Sequence, residues 1–210
     1  MRFIRRPPPV KTAALPLTFY GNPVLNRRSV AITTVTDDIR ILAERMIVTM
    51  DENDGIGLAA PQVGVGLNLI VLGIPVPDPE EGEGITFSSP GEAMLLPRMP
   101  IALVNPVLSN FSGETRDYEE GCLSIPELRG HVNRPRFLDL QAHTLDGQLI
   151  RARCGGLLAR CLQHEVDHLF GKLFVDYLSE AERADLEPDL TKLYKRTQAD
   201  LKKQRHRTTV

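Results

Sequence analysis

Two histidines with a glutamate between them are the part of this sequence best suited to chemistry. His164 and His168 are four residues apart, and Glu165 directly follows the first histidine. Residues i and i+4 lie on one face of a helix. The H-E-x-x-H pattern is therefore typical of a helical metal site, in which the histidines bind a divalent ion and the glutamate acts as a base. Such a site usually needs a third ligand, which this stretch does not supply.

The apolar residues around the motif predict which way the histidines point. On a helix over 157–170, the inward stripe contains Leu157, Cys161, His164 and His168. Glu165 lies on the neighbouring apolar stripe, and the opposite side carries Arg160, Gln163 and Asp167. Two inward histidines each need a polar partner, and one metal ion satisfies both. We expect Asp167 to be a solvated acid or a supporting acid outside the ligand set.

Several residues are candidates for the third ligand. A metzincin would place a histidine at position 174, where this chain has Phe174. A thermolysin-like enzyme would use a downstream glutamate, and Glu180 and Glu182 are available. Cys122, in the stretch EEGCLSIP, offers a thiolate, which is a strong ligand for soft and borderline metals. Taken alone, Cys122 could equally be an inert buried cysteine.

Composition indicates an ordinary globular protein. The 210 residues suit one domain, and the net charge of −2 gives no reason to expect nucleic-acid sequence recognition or a membrane surface as partner. The basic, proline-rich start lacks the apolar core of a secretory signal. Three cysteines do not suggest a disulfide framework, so a reducing cytoplasm is expected, with an organelle as the alternative. Cys154 and Cys161 are predicted core residues.

Patterning also predicts the elements that must position the metal helix. We expect a helix after Thr36, a buried strand at 67–74, and a hairpin with its turn at Asp146–Gly147. The stretch 75–98 has little periodicity and is interpreted as a surface insertion. Strands in sequence order with few helices between them predict an α+β fold. In it, antiparallel or mixed β-sheets pack around a central metal-binding helix, and a C-terminal helix follows.

The glycine-rich stretch GIGLAAPQVG, residues 55 to 64, allows two interpretations. It fits the dinucleotide fingerprint G-x-G-x-x-A, which must follow a buried strand and open a helix. Here the stretch follows a polar turn and runs into Pro61 and Gln62, so a nucleotide site is rejected. Glycines that let the backbone approach a ligand closely are the better explanation.

Three motifs in this order resemble the signatures of a known family. GIGLAAPQVG (55–64), EGCLS (120–124) and QHEVDH (163–168) are similar to the signature motifs of peptide deformylases, and the similarity extends over roughly residues 20–180. The resemblance implies that Cys122 is the third metal ligand, beside His164 and His168. Peptide deformylases remove the formyl group from the N-terminal formyl-methionine of newly made polypeptides and release formate.

The resemblance also implies roles in catalysis. Glu165 would carry a proton from water to the leaving amine. The Gln62 amide and the backbone N–H of Leu123 would stabilise negative charge on the formyl oxygen. Ile56 and Gly57, together with Leu123, would contact the substrate backbone as an added strand.

Further residues are expected to shape the site without taking part in the reaction. An apolar pocket for the methionine side chain would be lined by Tyr118, Leu157 and Cys161. Glu120 is expected to pair with Arg134 and so brace the cysteine loop, with an ordinary surface ion pair as the alternative.

The resemblance implies one divalent metal ion, with ferrous iron native and zinc, nickel or cobalt as substitutes, whereas spacing alone would favour zinc. Residues 1–180 would form a single deformylase catalytic domain that includes the insertion at 75–98. Residues 181–210 would form a basic helical tail, since Lys192 to Arg207 holds seven Lys or Arg residues and one Asp. Such a run is usually a solvated face, but it resembles the ribosome-docking tail of some bacterial members.

Two rival functions remain open at this point. The first is an H-E-x-x-H endopeptidase, which would cleave peptides whether or not they carry a formyl group. The second is a catalytically idle, deformylase-like metal-binding or peptide-binding protein. The presence of Gln62, Leu123 and Glu165 argues against the second.

Overall fold

The computed structural model describes residues 13–75 and 87–208. Four helices and seven strands occur in this part of the chain. The helices are α1 (Asp37–Glu52), α2 (Pro90–Leu95), α3 (Gly156–Leu169) and α4 (Glu180–Thr208). The strands are β1 (Gly57–Ala59), β2 (Leu69–Leu72), β3 (Ile101–Ser109), β4 (Thr115–Cys122), β5 (Ile125–Pro135), β6 (Leu138–His143) and β7 (Leu149–Cys154).

The strands form two separate sheets. Five of them pair in the order β1-β2-β3-β6-β7, and β4 and β5 form a two-stranded ribbon. All of these named pairs are antiparallel, and one isolated parallel bridge joins Val30 to Leu67. The predicted α+β class is therefore confirmed, and the predicted hairpin at Asp146–Gly147 is the β6–β7 pair.

Strand β2 is an unbroken apolar run in the sequence because it is buried on both faces of the sheet. Its four residues are all fully buried. Ile70 and Leu72 pack in the same core cluster as α3, whereas Leu69 and Val71 pack in the cluster of α1. Because successive strand residues point to opposite faces, helices α1 and α3 cover the two faces of this sheet.

Helix α3 lies between the five-stranded sheet and the ribbon, and glycines set both of its ends. Gly156 has φ +56°, and a Cβ there would lie 2.2 Å from Glu92 Oε1. Gly171 follows the C-cap Phe170 with φ +74°, and a Cβ there would lie 2.7 Å from the carbonyl carbon of Asn26. Left-handed backbone of this kind favours glycine, and any larger residue at either position would also collide with its neighbours.

The interpretation of residues 75–98 as a surface insertion was wrong for part of the stretch. Residues 90–95 form α2, whose Leu95 is fully buried in the core cluster of α3. Ser89 caps this helix by accepting a hydrogen bond from the Glu92 N–H, a short signal that apolar periodicity does not reveal. Residues 76–86 lie outside the described residues.

The predicted tail is not separate from the body along its whole length. Helix α4 begins at Glu180 and continues through Pro188. Its Leu190 is fully buried with Ile125 and Phe174 in a third core cluster beneath the ribbon. Among the described residues, every helix is too short or too polar to cross a bilayer. The domain boundary at 180/181 stays a prediction.

Candidate metal centre

Three side chains from two elements converge beside the ribbon. Cys122 ends β4, and His164 and His168 lie on α3. Their sulfur and nitrogen atoms all lie within 4.8 Å of one another, and Cys122 Sγ is 3.3 Å from His168 Nε2. In a tetrahedral site with bonds of about 2.1–2.3 Å, ligand atoms are about 3.5 Å apart. One thiolate and two imidazoles at these distances fit a divalent transition metal.

A bulge directs Cys122 toward the histidines. The β4–β5 register is regular from Thr115 to Gly121, then shifts so that Cys122 pairs with Ile125. A bulge bends a strand and re-aims the side chain beside it. The cysteine therefore sits on a tight turn whose other residues are Leu123 and Ser124.

Glu120 orients the first histidine. Its Oε2 lies 2.9 Å from His164 Nδ1, and Arg134 donates to both oxygens, at 2.6 and 3.0 Å. Burial alone would raise the pKa of Glu120, but the hydrogen bonds with His164 and Arg134 outweigh it and lower the pKa to about 2. The carboxylate therefore stays charged and holds the His164 Nδ1 proton, which leaves Nε2 free for a metal.

Asp167 belongs to the same buried network. Its Oδ2 accepts a hydrogen bond from Arg134 Nη1 at 2.8 Å, and its Oδ1 accepts one from the Tyr177 hydroxyl at 2.9 Å. Arg134 is thus shared between two carboxylates and is itself 5% exposed. Sequence reasoning did not find Tyr177, because no periodic pattern links it to α3.

The side of α3 that carries Arg160 and Gln163 is largely covered by the ribbon. The Arg160 side chain is only 12% exposed and donates to Glu120 Oε1 at 2.6 Å. Gln163 is buried and donates to the Pro135 carbonyl at 3.1 Å. The ribbon covers this side of the helix, and a contact so distant in sequence leaves no trace in local periodicity.

Glu165 is buried against the edge strand β1. A Cβ on Gly57 would lie 2.5 Å from Glu165 Oε1 and 2.7 Å from Cys161 Sγ, so the strand must pass without a side chain. Glu165 Oε2 is buried and has no hydrogen-bond partner among the described residues. Burial raises the pKa of Glu165 to about 7, although the neighbouring His164 lowers it. Such a carboxyl group can both take up and release a proton near neutral pH.

Gln62 lies on the other side of the cysteine. It is 1% exposed, on the short 3₁₀ turn Ala60–Val63 that follows β1. Its Oε1 accepts from the Ala59 N–H at 2.8 Å, and its Nε2 donates to Cys122 Sγ at 3.4 Å. The first bond fixes the orientation of the amide, so that its N–H₂ group points toward the metal centre.

The residues expected to bind substrate are only partly brought together. Ile56 directly precedes β1 and Gly57 begins it, and Cys161 is buried beside them, with its Sγ 3.5 Å from the Ile56 carbonyl oxygen. Tyr118 and Leu157 are 52% and 43% exposed. They lie on the ribbon and at the first turn of α3, at the periphery of this group.

Comparison with known proteins agrees with this geometry. The family model described as polypeptide deformylase matches residues 14–184, which include both histidines and Cys122. The chain belongs to the polypeptide deformylase family. The family's metal dependence is consistent with the Cys122, His164 and His168 cluster.

Individual deformylases resemble this family member over most of its length. Peptide deformylase 2 of Gloeobacter violaceus is 41% identical over 171 residues, which is 80% of this chain and 82% of that protein. The peptide deformylase of Acinetobacter baumannii is 37% identical over 188 residues, covering 90% and 96%. The crystal structure of the Ehrlichia chaffeensis peptide deformylase in complex with actinonin matches with a TM-score of 0.71 and 32% identity, covering 86% and 97%.

Proposed function

We propose that this chain removes the formyl group from the N-terminal formyl-methionine of newly made polypeptides and releases formate. The observation that carries the proposal is a buried Glu165 carboxyl group beside a cluster of one cysteine and two histidines; its Oε2 has no hydrogen-bond partner in the described part of the chain. That combination suits hydrolysis of an amide, and membership of the deformylase family specifies which amide.

The substrate backbone would bind along β1. This strand is at the edge of the five-stranded sheet, because among the described strands its one partner is β2. An extended peptide can add to such an edge through main-chain hydrogen bonds. The backbone of Ile56 and Gly57 on one side and of Leu123 on the other would place the formyl group beside Glu165.

Glu165 would move the proton. A water molecule attacks the formyl carbon while Glu165 takes up its proton, and the carboxyl group then delivers that proton to the amine nitrogen as the carbon–nitrogen bond breaks. The products are formate and a free N-terminus. A raised pKa, caused by burial, suits a group that must accept and donate in one cycle.

Gln62 and Leu123 would stabilise the charge that grows on the formyl oxygen. The Gln62 amide is held in place by the Ala59 N–H, and preorganised donors of this kind need no rearrangement during the reaction. Cys122, His164 and His168 would hold the metal ion. A divalent ion held by these residues would act as a Lewis acid, which lowers the pKa of water and polarises the carbonyl group.

Ferrous iron is the proposed native metal, with zinc, nickel or cobalt able to substitute. A thiolate together with imidazoles accepts all of these ions. Iron beside a thiolate is sensitive to oxygen, so elemental analysis should compare protein purified with and without oxygen. Iron as the dominant metal only in the anaerobic preparation supports the proposal.

Formate release tests the function. Anaerobically purified protein should release one formate for each formyl-methionyl peptide consumed and should leave the unformylated peptide intact. Cleavage of an internal peptide bond would support the endopeptidase instead. Metal and peptide binding without any product would support a catalytically idle binding protein.

The tail and the location of the protein extend the proposal. The cations between Lys192 and Arg207 would bind ribosomal RNA, bringing the enzyme to nascent chains in the cytoplasm. The protein should then pellet with ribosomes at low salt and dissociate as salt rises. Binding that does not depend on salt, or no binding, would contradict this role for the tail.

A further inference from the structure

Arg160 is held by acceptors on both strands of the ribbon. Its Nη1 donates to Glu120 Oε1 at 2.6 Å and to the Val132 carbonyl at 2.9 Å. Its Nη2 donates to the Arg116 carbonyl at 2.5 Å. Glu120 and Arg116 belong to β4, and Val132 belongs to β5. One side chain of α3 therefore sets the position of both strands against the helix.

The same guanidinium lies against the ring of Tyr118, 5.5 Å from the ring centroid to Cζ. Tyr118 and Glu120 point to the same face of β4, since successive strand residues alternate. Tyr118 is also directly opposite Val132 in the ribbon register. Arg160 thus contacts the ring of Tyr118 and also donates a hydrogen bond to Val132, the residue paired with Tyr118. At this range a cation attracts an aromatic ring.

Arg160 is not needed to keep Glu120 paired. Arg134 already makes two hydrogen bonds to that carboxylate, and His164 contributes a third. Without Arg160, Glu120 keeps three bonds, so the orientation of His164 is preserved. Tyr118, in contrast, is half exposed and is one of the residues expected to line the methionine pocket. The larger consequence of losing Arg160 therefore falls on the pocket wall.

We propose that Arg160 is a positioning residue that fixes the Tyr118 wall of the methionine side-chain pocket relative to α3. Leu157, three residues earlier on the same helix, is expected to line the same pocket, so Arg160 would set how far Tyr118 lies from that part of α3. The inference rests on the proposed deformylase function. Arg160 does not touch the reacting atoms; its effect is on how well the side chain of the substrate fits.

The test compares Arg160→Ala and Arg160→Lys with Arg151→Ala. Arg151 is an exposed arginine on β7 whose side chain donates a hydrogen bond to Gln141, away from the ribbon, which makes it a matched control. For each variant, kcat and KM are measured with formyl-methionyl and formyl-alanyl tripeptides, together with metal content and thermal unfolding. Tyr118→Ala and the Arg160→Ala/Tyr118→Ala double variant complete a cycle.

For Arg160→Ala we expect KM for the formyl-methionyl peptide to rise about tenfold, as for a lost pocket contact. We expect kcat to stay within about twofold, because the groups that act in the transition state remain in place. Metal content should be unchanged. The preference for methionine over alanine should fall about threefold or more. Arg160→Lys should recover part of the loss, and the effects of Arg160→Ala and Tyr118→Ala should not add.

Several results would overturn the role of Arg160. These are unchanged KM, a fall in kcat at constant KM, loss of metal, equal losses for both peptides, or additive effects in the cycle. Arg160→Ala could fail to fold. In that case, an unchanged preference for methionine over alanine in both Arg160→Lys and Tyr118→Ala would also overturn the role of Arg160. A wild-type protein that releases no formate would overturn the proposed function itself, and the two failures are therefore distinct.

Discussion

Replacement of Arg134 by alanine should both destabilise the protein and loosen the metal. Arg134 is 5% exposed and binds Glu120 through two hydrogen bonds and Asp167 through a third. Removing it leaves a buried carboxylate, because the side chain of Glu120 is also 5% exposed. The same carboxylate orients His164, so the affinity of the site for metal should also fall.

The size of the effect follows from what remains around Glu120. Breaking a buried ion pair by removing one partner typically costs about 3–5 kcal/mol of unfolding free energy. Arg160 Nη1 stays 2.6 Å from Glu120 Oε1, and Asp167 keeps its bond from Tyr177. We therefore expect a loss near the lower end, about 3 kcal/mol. Weakened support of a metal-binding histidine typically lowers metal affinity about 10- to 100-fold.

Urea unfolding of the metal-loaded protein and a competition assay with a metal indicator measure the two quantities. Arg136→Ala is the matched control, because Arg136 pairs with Glu114 on the exposed end of the same ribbon. An exposed pair should contribute about 0.5 kcal/mol or less. If Arg134→Ala unfolds like the control and keeps full metal content and turnover, Glu120 does not depend on Arg134, and the bracing argument is wrong.

Three further predictions concern the site itself. Glu165→Ala and Glu165→Gln should retain metal but lose about 10²–10⁴-fold in kcat, as expected for a general base; an active Glu165→Gln enzyme would refute its role in proton transfer. Gly57→Ala should lower kcat/KM at least about tenfold, because a Cβ would lie 2.5 Å from Glu165 Oε1. Gly113→Ala, whose Cβ would meet nothing within 4 Å, should behave like wild type in the same assay. Removal of the metal with a chelator should abolish formate release and lower the midpoint of thermal unfolding, since the ion binds only the folded cluster; restoration by ferrous iron but not by magnesium checks the ligand chemistry, and an unchanged midpoint would argue against bound metal.

Local patterns were enough to predict the helix that carries both histidines and the hairpin that precedes it. The β6–β7 hairpin follows from alternating residues around Asp146–Gly147, and α3 follows from a 3.6-residue apolar stripe. Both are determined by residues close together in the sequence. The strand predicted at 67–74 was found at Leu69–Leu72, with the difference confined to its ends.

Contacts between distant segments could not be predicted in this way. The contacts of Arg160 with the ribbon join segments that are far apart in the sequence, and α2 was missed because six residues are too few for a periodic signal. Spacing alone also left Cys122 as one candidate among several. Only the resemblance of three ordered motifs selected it, and the bulge that brings it to α3 is visible only in the structure.

The three thiols of this protein should differ in reactivity, because they differ in burial. Burial raises the pKa of Cys154 to about 12 and also raises that of Cys161 well above its ordinary value. Cys122 alone is partly accessible, and thiolate formation and access govern alkylation. A mild alkylating reagent should therefore modify one sulfur per folded chain, and a bound metal should protect that sulfur. The moles of label incorporated would then count metal-free active sites in a preparation, and specific activity could be expressed per competent molecule.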